Sequence, residues 1–408
     1  MTALDALVDA RFEDSVAFLR GIVRAPSDTP PGDNAAPAEV AARLLEALGF
    51  TVERHPVPAD VVVQHGLVSV TNLIVRHRFG AGPVIALNAH GDVVPPGDGW
   101  TVPPYEGVVR DGRMYGRGVA VSKSDFATYT FALDALKRAA AAGTRLKGTV
   151  ELHFTYDEEM GGECGPAWIL AQGLSKPDLA IGPGFSYAVT TAHNGALHLD
   201  VVVRGEAAHA AMPETGVDAL AAAVDMMAAL YRLREGYAGV HSKVPGISTP
   251  TINIGRIEGG INTNVVPDRV RFTLDRRMIP EEDPAAVERE LRSAIDQAQA
   301  RHPNVRVEIR RLLLARALTP LPGHEKVVKA IQQEASRVFG ATPPAGGMPL
   351  YTDARLYAEA GVPVVLYGAG PRTVLESNAK RADENLVLED LRGATKVVAG
   401  ALAALLAA

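Results

Sequence analysis

The sequence predicts an α/β protein with a smaller ferredoxin-like unit inserted into it. Its 408 residues exceed the length that one compact domain usually holds. Short apolar runs alternate with segments of helical periodicity, which is typical of a sheet covered by helices. After Gly195 the order of elements changes to a pattern that recurs in small, independent units. Together these observations predict two structural parts.

The first part contains amphipathic helices and short apolar strands. Apolar residues recur at helical spacing over 4–23 and over 38–48, and the second helix is expected to end at Gly49. The alanine-rich segment 126–142 predicts a third, longer helix. Strands are expected at 67–77, 84–89 and 149–155.

The inserted unit has the predicted order βαββαβ, which is the order of a ferredoxin-like fold. Its elements are expected at 196–203, 217–233, 251–257, 269–276, 284–301 and 305–313. The α/β pattern then resumes with helices at 324–339 and 354–360, a strand at 362–367 and a last helix from Leu388. We therefore assign 1–189 and 315–408 to the α/β domain, and 190–314 to the insertion.

Composition excludes several classes of partner. Lys plus Arg number 41 and Asp plus Glu 47, a net charge of −6 with no basic block, so neither nucleic acid nor an anionic membrane surface is expected. The single cysteine, Cys164, excludes an intramolecular disulfide. Residues 1–11 lack a signal-peptide pattern, and the longest apolar stretch, 397–408, is too short to span a bilayer. These features predict a cytoplasmic protein.

Polar side chains follow two of the predicted strands, at the sheet edge where α/β proteins place their sites. His90 and Asp92 follow the first of these strands, and Asp92 could orient the His90 ring. Glu158 and Glu159 follow the second, and in an extended chain they would point opposite ways. One could bind a metal while the other serves as general base, although a solvated acidic loop would have the same composition.

Several motifs occur in one order along the chain: HGD at 90–92, GRG at 116–118, DEEMGG at 157–162, RGEAAHAAMPETGVDAL at 204–220, GGINTNVVPD at 259–268 and TDAR at 352–355. Together they resemble the zinc-dependent aminoacylase, carboxypeptidase G and succinyl-diaminopimelate desuccinylase family of amidohydrolases and exopeptidases. The resemblance implies a zinc-peptidase-like catalytic domain and a lid domain through which two copies form a homodimer.

The resemblance also implies two zinc ions, but several ligand positions lack a ligand. His90 and Glu159 match ligands, and Glu158 matches the general base. The bridging aspartate corresponds to Val121, and no acid occurs near 182–184, where another carboxylate belongs. We therefore expect that the paired zinc site is lost, leaving no metal or one weakly bound zinc on His90 and Glu159.

The last ligand in the family is a histidine four positions before a glutamate. Glu384 matches that glutamate, but Lys380 stands at the histidine position, and no histidine follows His324. An ammonium at position 380 would pair with Glu159 and neutralise it without metal. Asp125 is the one acid between Gly112 and Phe126, on the helix face that Val121 would share, so its replacement of the bridging carboxylate stays open.

Other positions match the family's substrate-handling residues. The resemblance implies that His209 stabilises the oxyanion, that Asn264 and Arg277 bind a substrate carboxylate, and that Gly368 and Gly370 line the site.

Three functions remain open from the sequence. The first is an amidohydrolase of a small, carboxylate-bearing N-acyl amino acid or dipeptide. The second is a metal-free lyase or isomerase in which Glu158 moves a proton and Lys380 stabilises the anion. The third is a non-catalytic binding protein, although retention of Glu158 and His209 argues against it. The sequence does not name the substrate.

Overall fold

The computed structural model describes residues 2–407, which form two compact units. The first comprises the described parts of Met1–Thr191, Pro320–Gly346 and Thr352–Ala408, and the second comprises Ala192–Thr319 and Gly347–Tyr351. No motif in the sequence indicated that the short segment after 346 returns to the second unit. Among the described residues, no helix has both the length and the apolar character needed to cross a membrane.

Eleven α-helices are present in the described part of the chain. They are α1 Ala3–Asp9, α2 Phe12–Val23, α3 Ala35–Ala47, α4 Ala59–Gln64, α5 Lys123–Ala141, α6 Pro166–Ala171, α7 Ala219–Gly236, α8 Pro284–Gln299, α9 His324–Phe339, α10 Ala354–Glu359 and α11 Leu388–Leu405.

Fifteen strands accompany these helices within residues 2–407. They are β1 Val52–Pro56, β2 Thr71–Arg78, β3 Val84–His90, β4 Val108–Arg110, β5 Arg113–Tyr115, β6 Thr149–Thr155, β7 Leu179–Gly182, β8 Val189–His193, β9 Gly195–Arg204, β10 Thr251–Gly259, β11 Arg269–Met278, β12 Arg306–Ala315, β13 Ala345–Met348, β14 Val364–Leu366 and β15 Asn385–Val387.

The largest sheet has eight strands in the order β1-β2-β6-β3-β7-β14-β8-β13. Its four central strands, β6, β3, β7 and β14, are parallel, so their carboxyl ends meet at one edge. These strands are buried almost throughout, which explains why their sequences are continuous apolar runs and do not alternate between apolar and polar residues. Helix α5 packs on this sheet, and its Phe126 ring stacks on Phe154 of β6 at 3.9 Å.

The second unit contains a four-stranded antiparallel sheet in the order β10-β11-β9-β12, with α7 and α8 packed on it. Along the chain its elements follow the order βαββαβ, so the ferredoxin-like prediction is confirmed. Asp218 and Asp283 cap the two helices by accepting backbone N–H bonds from the first turn. The mixed α/β fold with an inserted unit is therefore the one that the sequence predicted.

Several local predictions need correction. The segment 4–23 is not one helix, because the chain breaks between Asp9 and Phe12. The strand expected from Leu67 begins only at Thr71. A small sheet of β15, β5 and β4 was not predicted, since strands of three residues are too short to show a period.

Candidate active site

His90 and Asp92 lie at the carboxyl end of β3, at the edge where the central parallel strands end. Asp92 Oδ1 lies 3.3 Å from His90 Nδ1, and Asp92 Oδ2 accepts a hydrogen bond from the Glu159 backbone N–H at 3.0 Å. Burial lowers the pKa of His90, but the carboxylates of Glu158, Asp92 and Glu159 outweigh it and raise that pKa to about 10. Asp92 thus contacts both the His90 ring and the segment that carries the glutamates.

Glu158 and Glu159 lie on a short 3₁₀ helix, Glu158–Met160, that follows β6. The chain is therefore not extended at the two glutamates as expected, because it turns immediately after Asp157. Glu158 Oε2 lies 3.9 Å from His90 Nε2 in a buried position. Burial raises the pKa of Glu158 to about 7, although the neighbouring His90 charge opposes this shift. A carboxyl with this pKa can accept and return a proton near neutral pH.

Lys380 supplies a cation to the same edge of the sheet. Its Nζ donates a hydrogen bond to Glu159 Oε2 at 2.7 Å. The Lys380 side chain is 52% exposed, whereas that of Glu159 is 9% exposed. Partial desolvation of the ammonium lowers its pKa, but the carboxylates of Glu159 and Glu158 outweigh this effect and raise it. Lys380 is therefore a charged group that both binds Glu159 and faces solvent.

The segment that carries Lys380 is anchored by a buried ion pair which the sequence did not indicate. Arg117 Nη1 donates to Glu384 Oε2 at 2.6 Å, and both side chains are almost fully buried. Glu384 Oε1 also accepts from the backbone N–H groups of Ala120 and Val121, at 3.1 and 3.3 Å. Glu384 thus fixes the end of the Lys380 segment to the turn that precedes α5.

Asp125 binds the backbone of the loop that follows β14. Val121 precedes the first residue of α5, so the two side chains do not share a helix face as predicted. Asp125 instead accepts a hydrogen bond from the Ala369 backbone N–H at 2.9 Å, and a Cβ added at Gly368 would overlap its carboxylate. Burial raises the pKa of Asp125 to about 8. Its carboxyl group holds the loop containing Gly368 and Gly370 against α5.

Two further buried acids, Asp157 and Asp353, lie near Glu158 and were not assigned a role from the sequence. Asp157 Oδ2 accepts from the backbone N–H groups of Cys164 and Gly165, at 2.6 and 2.9 Å. Burial raises the pKa of Asp157 to about 8 and that of Asp353 well above its ordinary value. Asp353 belongs to the TDAR motif that contributed to the family resemblance, but nothing in the sequence indicated that its side chain is buried. Cys164 is fully buried, and burial raises its pKa to about 12, as expected of a packed thiol.

Two positions that the family resemblance assigns to zinc ligands, 121 and 380, carry other side chains. Within residues 2–407, no group of three or more His, Cys, Asp or Glu side chains is arranged to hold a metal ion. Val121 has no side-chain atom that can bind a metal, and Glu159 Oε2 already accepts a hydrogen bond from the Lys380 ammonium.

The remaining predicted residues lie in the second unit. His209 and Asn264 are neighbours there: His209 pairs with Val265 in a β-bridge, and the Asn264 carbonyl accepts from Ala210 N at 3.0 Å. The Arg277 guanidinium binds both carboxylate oxygens of Asp275, at 2.9 and 3.1 Å from its Nε. Part of its donor capacity is thus already used within the unit. The substrate-handling roles of His209, Asn264 and Arg277 stay predictions.

Comparison with known proteins shows which family the chain is similar to. Residues 86–404 match the sequence profile of Peptidase family M20/M25/M40. The chain is 30% identical over 393 residues to a succinyl-diaminopimelate desuccinylase of a Methylobacterium species, covering 92% of each protein. It is also 31% identical over 295 residues to an acetylornithine deacetylase of Salmonella arizonae, covering 72% of each.

Solved structures share the fold at low sequence identity. The dipeptidase Dug1p from Saccharomyces cerevisiae superposes with a TM-score of 0.82 at 15% identity, covering 99% of this chain and 98% of that protein. A Bacillus subtilis protein described as a dinuclear metal binding peptidase from the M20 family has a TM-score of 0.65 at 19% identity, covering 98% and 99%.

Proposed function

This chain belongs to peptidase family M20/M25/M40, a family of amide hydrolases, and we propose that it hydrolyses the amide bond of a small carboxylate-bearing N-acyl amino acid or dipeptide without a zinc pair. One observation carries the proposal. A lysine, Lys380, is bonded to Glu159 beside the buried Glu158, so a cation and a proton acceptor lie at one edge of the sheet.

The chemistry follows from these two groups. Water attacks the amide carbonyl carbon and gives its proton to Glu158, while the negative charge that develops on the carbonyl oxygen is stabilised by the Lys380 ammonium. Glu158 then returns the proton to the leaving nitrogen as the C–N bond breaks. His90 and Asp92 hold the Glu158 segment in place, because Asp92 accepts the Glu159 backbone N–H and the His90 ring lies between Asp92 and Glu158.

The loss of the zinc pair is supported by charge and by donor identity. Three carboxylates with two zinc ions would carry a net charge of +1, whereas Glu159 and Lys380 neutralise each other without metal. A catalytic zinc needs about three protein ligands, and only His90 and Glu159 remain of the family's set. Of these two, Glu159 already binds Lys380 at 2.7 Å.

We expect protein purified without added metal to contain less than one zinc ion per chain by elemental analysis. We also expect turnover of a succinyl or acetyl amino acid substrate to survive prolonged dialysis against a chelator, since no step requires a bound ion. Two zinc ions per chain, or activity that appears only after zinc is added, would contradict the proposal.

A lyase or isomerase reaction is the second candidate, because an ammonium beside a glutamate base can also stabilise an anion formed on carbon. Turnover in water enriched in ¹⁸O separates the two. Hydrolysis places one ¹⁸O atom in the carboxylate product, whereas elimination or isomerisation places none. We expect one atom per turnover.

We further propose that two copies associate through the second unit. Its sheet has two edge strands, β10 and β12, within the described residues, and edge strands present unpaired backbone groups. Exposed apolar side chains accompany these edges: Ile257 is 52% exposed, Ile261 79% and Leu312 46%. We expect a dimer in sedimentation experiments, and weaker association of Ile257→Asp and Ile261→Asp but not of the exposed Val63→Asp. A monomer at every concentration would contradict this.

A further inference from the structure

A cavity of about 220 Å³ opens in the first unit, on residues that neither the proposed reaction nor the family resemblance uses. It lies between the chain after β7, the end of α9 with the loop that follows it, and the chain after Gly370. Its walls include Ser186, Tyr187, Phe339, Pro343, Pro344 and Arg372.

Two aromatic rings form one wall of the cavity, and both are fixed by contacts behind them. The centroids of Tyr187 and Phe339 lie 5.1 Å apart. The Tyr187 hydroxyl donates to the Asp390 carboxylate, and Phe339 packs so closely on α11 that a Cβ at Gly393 would overlap its ring. The two ring planes are inclined at 48° to each other, so the wall is a preorganised apolar surface on which a ligand ring can stack on one of them, and the two prolines add further apolar surface.

Arg372 supplies a charge that no carboxylate contacts directly, although the Asp390 carboxylate is near enough to interact with it electrostatically. Its guanidinium carbon lies 3.7 Å from the centroid of the Tyr187 ring. Within residues 2–407, no carboxylate oxygen lies within 4 Å of its guanidinium nitrogens, and the structure gives these nitrogens no hydrogen-bond acceptor. The nearby Glu376 carboxylate instead accepts from the Arg372 backbone N–H at 3.1 Å and lies 3.9 Å from Arg113. The Arg372 donors are therefore available to an anion.

We propose that this cavity binds a small aromatic carboxylate. The ring would lie against Tyr187 and Phe339, and the carboxylate would accept hydrogen bonds from the Arg372 guanidinium, whose planar donors match a carboxylate. The volume is adequate, since a cavity of about 150 Å³ accommodates benzene. An aliphatic anion would leave the aromatic wall uncovered, and a neutral ring would leave the charge unpaired.

The test uses benzoate as the probe, with benzamide as its neutral analogue and acetate as the anion without a ring. Titrations of the full-length protein are followed by calorimetry and by ligand-observed NMR. We expect benzoate to bind with a Kd below about 10 mM, the range that a ligand of this size can reach, and benzamide and acetate to bind at least tenfold more weakly.

Variants locate the probe on the protein. Arg372→Gln should weaken benzoate binding at least tenfold, while Arg381→Gln, which changes another exposed arginine that does not line the cavity, should leave it unchanged. Lys380→Met should also leave it unchanged, which separates this cavity from the proposed substrate site. Because Arg372 is exposed, its variant should keep the wild-type unfolding midpoint.

The proposal is overturned if benzoate does not bind, if Arg372→Gln binds it as tightly as the wild type, or if benzamide and acetate match it. It is also overturned if Lys380→Met alone abolishes binding, since benzoate would then occupy the substrate site. The amide hydrolase proposal does not depend on any of these outcomes.

Discussion

Substituting Arg117 with methionine is expected to lower the free energy of unfolding by about 3–5 kcal/mol, the usual result of removing one partner of a buried ion pair. Arg117 is 1% exposed, and its guanidinium binds the buried Glu384 carboxylate at 2.6 Å. Without it, Glu384 keeps only backbone N–H donors, including those of Ala120 and Val121. Denaturant-induced unfolding measures the loss.

Two further variants test whether charge burial is the cause. Arg110→Met removes an exposed arginine and should change stability by no more than about 0.5 kcal/mol. Adding Glu384→Gln to Arg117→Met removes the lone charge while an amide oxygen still accepts from Ala120 and Val121, so it should recover at least half of the loss. If the double variant is no more stable than Arg117→Met, the unpaired charge is not the cause.

The same variant should show a defined pH dependence. Burial raises the pKa of Glu384 above its ordinary value, and Arg117 opposes that shift, so the pKa should rise further without Arg117. A carboxyl whose pKa is higher in the folded than in the unfolded protein binds its proton in the folded state. The protonated Glu384 carboxyl therefore stabilises the folded protein at low pH, and this stabilisation is lost as the pH rises through the folded-state pKa. The loss of unfolding free energy caused by Arg117→Met should therefore be smaller at about pH 5 than at about pH 8.

The parts of the fold that could be predicted are those with a strong sequence period. The strands at Val84–His90 and Thr149–Thr155 are continuous apolar runs because both of their faces are buried. Strand β13, Ala345–Met348, was not predicted, because its central residues are glycines and show no alternation. Short and glycine-rich strands depend on their partners, which a single segment does not reveal.

At the candidate site, too, residues next to a strong sequence pattern could be predicted, whereas contacts between distant segments could not. Polar residues after buried strands located His90 and Glu158, because parallel strands end at one edge of a sheet. The contacts of Asp125 could not be predicted, since its direction depends on where α5 begins, and that start at Lys123 has no side-chain cap. The pairing of Arg117 with Glu384 joins segments 267 residues apart, beyond any local pattern.

Glu158→Gln and Lys380→Met are each expected to lower turnover about 10²-fold or more, the scale of a lost general base or of a lost charge that stabilises the transition state. Glutamine keeps the shape of Glu158 but cannot accept the proton from water. Methionine keeps the length of Lys380 but carries no charge. Turnover is measured on the best substrate from a panel of N-succinyl and N-acetyl amino acids and dipeptides.

Matched variants separate a specific role from a general loss of positive charge. Arg381→Met removes the next cation along the chain and should retain wild-type turnover. Lys380→Arg keeps the charge with a different geometry and should recover part of the activity that Lys380→Met loses. If Lys380→Met turns over at the wild-type rate, Lys380 has no part in the reaction.

A double substitution decides what Lys380 does, because the lysine could affect turnover only by neutralising Glu159. If neutralisation is its whole role, Lys380→Met is slow because Glu159 is left as an unpaired charge, only 9% exposed, beside Glu158. Adding Glu159→Gln removes that charge and would then restore turnover. We expect the double variant to stay about 10²-fold slow, because the ammonium that stabilises the developing oxyanion is still missing. Restored turnover would instead show that Lys380 is only a structural partner of Glu159. Another group would then have to stabilise the oxyanion.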